Sequence, residues 1–175
     1  MESWNDWHWQ ARNVARTLEK LERMVDVTPS ERRGIEMATE AHLPFGVTPY
    51  YASLMDSNSD GTNDHAVRAQ VIPDEYYVSK MASSRAGRLQ SHDFMMERDT
   101  SPIDLITRRY PMICILKPYN TCPQICVYCQ RNWEIEECLA PDAMAPPEKL
   151  DAAIEHIREH QGLSEVLVTG GDPFA

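Results

Sequence analysis

Cys122, Cys126 and Cys129 stand at intervals of four and three in Cys122-Pro-Gln-Ile-Cys126-Val-Tyr-Cys129, a spacing that lets one loop carry three thiolates around the corners of an iron-sulfur cubane. Three protein ligands leave one iron open to an exchangeable ligand. An electron-transfer cluster instead takes four cysteines, and a structural zinc site takes four closed ligands. Cys114 or Cys138 could supply a fourth, giving a ferredoxin-like cluster or a zinc site. Three inert thiols grouped by chance would need no such spacing. The five cysteines all fall between 114 and 138 and are odd in number, which argues against a disulfide framework and for ligation or redox chemistry in a reducing compartment.

The other chemistry-bearing groups are weaker taken alone. Gly170-Gly171-Asp172 has the composition of a turn. His156 and His160 fall near the end of a helical stripe and read as solvated imidazoles favoured by the helix dipole. Asp56-Ser57-Asn58-Ser59-Asp60-Gly61 opens like a calcium-binding loop, but Val67 stands where a bidentate glutamate should close the shell, so an ordinary polar loop is expected.

Elements to position these residues can be read from pattern. Ala11, Val14, Leu18, Leu21 and Val25 recur at helical steps and predict a long first helix from Trp7. Thr28-Pro29-Ser30-Glu31 reads as a capping box opening a second helix. Thr48-Pro49 opens a short third one carrying Tyr50, Tyr51, Leu54 and Met55. From Asp56 to about Pro102 the periodicity is weak and no element is assigned.

After Arg109-Tyr110-Pro111, the apolar run Met112 to Leu116 predicts a strand buried on both faces, with Cys114 as a core side chain. Pro146-Pro147 precede a helix with Leu150, Ala153, Ile154 and Ile157 on one face and Gly162 beyond its end. Glu165 to Thr169 reads as a second strand. Strand, loop, helix, strand is a parallel unit of the kind that builds α/β barrels. The expected class is therefore α/β: an incomplete barrel in 109–175, preceded by a mainly helical region in 1–108. An unpaired edge after Val168 leads one to expect self-association.

Whole-chain properties exclude some classes. A formal charge of -10 on 175 residues gives no basic surface for phosphate backbones, so no nucleic-acid partner is expected. No apolar run approaches the roughly 20 residues of a membrane span, and Met1-Glu2-Ser3-Trp4 lacks a signal-peptide pattern, so a cytoplasmic location is expected.

The cysteine spacing, with the aromatic Tyr128 just before the last thiol, resembles the radical S-adenosylmethionine superfamily. The resemblance implies a four-iron, four-sulfur cluster on Cys122, Cys126 and Cys129, whose open iron is chelated by S-adenosylmethionine. It also implies Tyr128 against the adenine, and Gly170, Gly171 and Asp172 as the motif meeting the methionine amino group.

Trp4-x2-Trp7-x-Trp9-Gln10, Thr48-Pro49-Tyr50-Tyr51, Arg68-x-Gln70-x-Ile72-Pro73 and Arg109-Tyr110-Pro111 resemble the lysine 2,3-aminomutase branch in order and spacing. That branch implies a 5′-deoxyadenosyl radical used for 1,2-amino migration on an amino acid, and an electron donor such as flavodoxin or ferredoxin. It further implies contacts of Arg109 and Tyr110 with pyridoxal phosphate and of Arg131 with a substrate carboxylate. Arginine suits both anions through its two-pronged donor geometry, although a surface or helix-end charge would explain either arginine equally well. The chain departs from the branch where Ile113 replaces a second arginine and where the basic run after the last cysteine shrinks to Gln130-Arg131-Asn132-Trp133. These departures bear on the substrate and on pyridoxal phosphate. An iron-sulfur or zinc protein without radical chemistry and an inactive fragment are the alternative readings.

Overall fold

A computed structural model describes residues 3–57, 63–87, 95–129, 131 and 142–174. The chain divides into two compact units, one of residues 1–92 with 123–133 and one of 93–122 with 134–175.

The first unit is helical: α1 (Trp7–Arg12), α2 (Leu18–Leu21), α3 (Pro29–Glu40), α4 (Pro49–Ala52), α5 (His65–Arg68) and α6 (Glu75–Gly87). The capping box forms as the sequence predicts. Thr28 Oγ1 accepts from Glu31 N (3.3 Å) and Glu31 Oε2 accepts from Thr28 N (2.9 Å), with Pro29 at the first helical position. Thr48 caps the single turn of α4 by accepting from Tyr51 N (3.2 Å).

The long first helix is a correction. Its apolar stripe is right, since Ala11, Val14, Leu21 and Val25 are all buried. The path is not helical throughout, because α1 ends at Arg12 and Ala15 exchanges two backbone hydrogen bonds with Val47 (2.8 and 3.0 Å). Thr17 then starts α2 afresh by capping Lys20 N. Periodicity reports which side chains face the core; a bridge to a distant residue leaves no local mark.

The core of this unit gathers Leu21, Val25, Ile35, Phe45, Val47, Met55, Val71 and Ile72, with Ala38, Leu43 and Val78 clustered where α3 meets α6. Gly34 permits that approach: a Cβ there would stand 2.0 Å from the Pro73 carbonyl oxygen. Arg68 is a buried charge of this unit, beside the buried Asp64, with 1% of its side chain exposed. Its Nε donates to Asp64 Oδ2 (2.7 Å), Nη1 to Glu31 Oε2 (3.3 Å), and Nη2 to the carbonyls of Asp26 (2.9 Å) and Asp56 (3.2 Å). A buried guanidinium is tolerated because its donors are met by this many acceptors. Asn58 to Gly61 of the calcium-loop imitation lie outside the described residues.

The second unit holds β1 (Ile106–Thr107), β2 (Ile113–Tyr119), α7 (Pro147–Glu159) and β3 (Glu165–Gly170). The sheet order is β1-β2-β3, with β1 antiparallel and β3 parallel to β2. Cys114 pairs with Val166 and Leu116 with Val168; the register then slips before Tyr119 meets Gly170. Pro118, which has no N–H for the ladder, lies within the slip. So the predicted parallel strand-helix-strand unit is present.

Burial on both faces of the first strand is corrected. Cys114 is buried at 1% with Ile106 and Ala153, while Met112 (59%) and Ile113 (37%) are exposed, as are Val166, Leu167 and Val168 of β3. α7 seals one side of this sheet through Ala153 and Ile157. His156 is a second correction: it is partly buried, and burial, followed by the charge of His160, pushes its pKa below the ordinary value. His160 follows α7 and donates from Nδ1 to the His156 carbonyl (2.6 Å). No helix among the described residues is long and apolar enough to cross a membrane.

Candidate functional site

The segment from Pro123 to Cys129 is fixed to the first unit by backbone and side-chain bonds. Ile125 N donates to the Gly46 carbonyl (2.9 Å), and the Ile125 side chain is buried at 4%. A Cβ at Gly46 would stand 3.2 Å from Ile125 Cγ1 and 3.3 Å from Val14 Cγ1, so glycine leaves room for the isoleucine to enter. Val127 N donates to the Gln70 carbonyl (2.8 Å), and Cys129 N closes a turn onto the Cys126 carbonyl (3.1 Å). Gln124 Oε1 accepts from Thr48 Oγ1 (3.1 Å) and lies 3.5 Å from Thr48 N.

Cys126 and Cys129 on this turn are partly exposed thiols. Cys129 Sγ accepts from the backbone N of Arg131 (3.4 Å). Tyr128, between the two cysteines, is 70% exposed. Charge on the Cys126 sulfur and a hydrogen bond with it raise the Tyr128 phenol above its ordinary pKa. Tyr51 is raised as well, first by burial and then by Cys126, and its hydroxyl donates to the Val67 carbonyl (3.1 Å).

In the second unit Cys122 directly follows Thr121, which is fully buried. Gly170-Gly171-Asp172 docks on this stretch: Gly171 N donates to the Tyr119 carbonyl (2.7 Å) and Asp172 N to the Thr121 carbonyl (2.9 Å). Gly170 has φ +118°, open to glycine and strained for other residues. At Gly171 the constraint is contact, since a Cβ would stand 2.1 Å from the Thr121 carbonyl oxygen. The glycine therefore serves a close approach of the chain to itself, which turn composition does not reveal. Asp172 Oδ1 accepts from Phe174 N (3.0 Å).

Arg109 and Tyr110 are both on the surface, where Arg109 Nη1 donates to the Met95 carbonyl (3.1 Å) and Tyr110 is 62% exposed. Of the two possible fourth cysteines, Cys114 lies in the core, and burial pushes its thiol pKa up, away from the thiolate a metal needs. Cys138 lies outside the described residues, as do Gln130, Asn132 and Trp133. Among the described residues no group of three or more His, Cys, Asp or Glu side chains is gathered to hold a single metal ion. A cubane takes each thiolate on a different iron, so its ligands need not converge on one point. The donor chemistry of three thiols, two of them on one braced turn, fits such a cluster.

Sequence reading found the cysteines and the Gly-Gly-Asp motif and missed their supports. Gly46 and Gln124 carry no motif of their own. Gln70 and Thr48 stand in stretches that carry the family resemblance, and Thr48 also reads as a helix start, but neither was recognised as a support of this loop.

No family model matches the chain. Among curated proteins it is 45% identical over 184 aligned residues, 99% of its length, to an uncharacterised KamA-family protein of Methanocaldococcus jannaschii. It is 34% identical over 98% of its length to the L-lysine 2,3-aminomutase of Bacillus subtilis, and 30% identical over 98% to the glutamate 2,3-aminomutase of Clostridioides difficile. The chain spans 29%, 34% and 37% of the length of these three proteins.

Proposed function

We propose, from a chain homologous over 98–99% of its length to KamA-family and L-lysine 2,3-aminomutase proteins, that it forms the cluster-binding part of a radical S-adenosylmethionine aminomutase. The observation that carries this reading is the Cys122, Cys126, Cys129 spacing within so extended a homology. The barrel is part of the proposal: the parallel β2-α7-β3 unit is its first unit, and 1–108 is a helical region before it.

Cys122, Cys126 and Cys129 would hold a four-iron, four-sulfur cluster, leaving one iron for S-adenosylmethionine. When bound, the cluster supplies the electron that cleaves S-adenosylmethionine to methionine and a 5′-deoxyadenosyl radical, which takes hydrogen from substrate. The chain's own part is to bind and orient. The backbone N of Arg131 donates to the Cys129 sulfur. The exposed ring of Tyr128 is available to an adenine, and Gly171 and Asp172, bonded to Tyr119 and Thr121, present the backbone proposed to meet the methionine amino group. Arg109 and Tyr110 are proposed to contact pyridoxal phosphate, and Arg131 a substrate carboxylate. The substrate is an amino acid, named as lysine for one relative and glutamate for another. The electron donor would be a small reductant of the flavodoxin or ferredoxin type.

The test is anaerobic reduction of the reconstituted protein with S-adenosylmethionine, followed by chromatography for 5′-deoxyadenosine. Formation of 5′-deoxyadenosine by the wild type and its loss in Cys126→Ser support the reading. A protein that binds S-adenosylmethionine and never cleaves it reductively defeats it.

A further inference from the structure

Gln124 lies between the first two cysteines, and its side chain does not act as a solvated surface amide. Its Oε1 is held by Thr48 Oγ1 at 3.1 Å, with Thr48 N at 3.5 Å. Thr48 is itself fixed, because the same hydroxyl oxygen accepts from Tyr51 N (3.2 Å) as the cap of α4. The amide therefore ends a short chain of bonds, Tyr51 N–H to Thr48 O–H to Gln124 O, in which each bond polarises the next. The following residue, Ile125, is anchored by its buried side chain and by its bond to Gly46 O (2.9 Å), and Val127 by its bond to Gln70 O (2.8 Å). Three successive attachments, at 124, 125 and 127, thus bracket Cys126. Val127, on the turn closed by Cys129 N and Cys126 O, is the last of them.

We propose that Gln124 is a positioning residue for the cluster, fixing through Thr48 the entry to the Cys126–Cys129 turn so that the thiols are arranged before iron arrives. This rests on the cluster reading above. A loop free to wander would have to be ordered by the cluster itself, and that ordering would weaken retention. Thr48 is the other half of the device. Its role as a helix cap explains the bond to Tyr51 and leaves the bond to Gln124 unexplained, whereas positioning explains both.

Gln124→Met keeps the shape and removes the acceptor. Gln124→Asn keeps the amide and shortens its reach, and Gln124→Glu keeps an acceptor for the same two donors. In cluster-free protein, iodoacetamide labelling of Cys126 and Cys129 is followed separately by mass spectrometry. The expected result is labelling roughly five-fold faster in Gln124→Met and Gln124→Asn, the factor conferred by one net hydrogen bond, with Gln124→Glu at the wild-type rate. In reconstituted protein, iron loss to a chelator should accelerate by a similar factor in the first two variants alone. Wild-type rates in Gln124→Met and Gln124→Asn would overturn the proposal, as would a Gln124→Glu variant as altered as Gln124→Met. If Gln124→Met does not fold, the comparison of Gln124→Asn with Gln124→Glu decides. A wild-type protein that takes up no cluster would defeat the cluster reading alone, and the labelling would still judge Gln124.

Discussion

Gly171 and Thr121 are in backbone contact, so close that a side-chain carbon on the glycine would stand 2.1 Å from the Thr121 carbonyl oxygen and 2.5 Å from its nitrogen. Backbone on both sides cannot rotate away, so Gly171→Ala must displace either the end of β3 or the segment entering Cys122. Its expected destabilisation is about 2 kcal/mol, the range of overpacking in a tight site. Gly162→Ala, with nothing within 4 Å of the added carbon, should stay within about 0.5 kcal/mol of wild type. Urea unfolding of the two variants checks the contrast. Equal midpoints would show that the contact is slack.

Arg68 is predicted to dominate the stability of the first unit. Arg68→Met leaves Asp64, with 9% of its side chain exposed, without its guanidinium partner, and should lose about 3–5 kcal/mol. Asp64→Asn in the same background should recover part of that loss, because the remaining group is then neutral. A loss below about 1 kcal/mol in the single variant, measured by urea midpoint, would contradict the assignment.

Legibility followed range. The capping box at Thr28, the cap at Thr48, the burial of Cys114 and the β2-α7-β3 unit rest on local chemistry and were readable from neighbouring residues. The break after Arg12 depends on Val47, the burial of Arg68 on Asp64, Glu31 and two distant carbonyls, and the need for Gly34 on Pro73. Of these partners Asp64 alone, four residues before Arg68, stands at a spacing that signals a pair; the others leave no mark in the sequence. In the site, the cysteine interval announced itself because ligation needs donors close in sequence. The brace of that loop did not, since Gly46, Thr48 and Gln70 reach it only through folding.

His156 should make the second unit acid-sensitive. Burial comes first and the charge of His160 second among the causes that lower its folded pKa; Arg108 acts the same way, and Glu159 opposes them. In the window between that lowered value and the unfolded value of about 6.5, the unfolded chain binds more protons. Stability therefore rises with pH across the window: it is fully present above about 6.5 and is lost as the pH falls below it. His156→Gln should flatten the difference between urea midpoints at pH 7.5 and pH 5.5. An undiminished difference would remove His156 from the account.

The thiols should divide by role. Cys114→Ser should leave iron uptake intact and lower stability, since it places a hydroxyl among Ile106 and Ala153. Cys122→Ser, Cys126→Ser and Cys129→Ser should each abolish stable incorporation, measured as iron and sulfide per chain after anaerobic reconstitution. Loss of the cluster in Cys114→Ser with unchanged stability would make that residue a ligand.

The electron paramagnetic resonance spectrum of the reduced, reconstituted protein, recorded before and after S-adenosylmethionine is added, bears most directly on the central claim. An iron held by no protein ligand predicts a spectrum that changes on addition. An identical spectrum, or a preparation that binds zinc in place of iron, would contradict it.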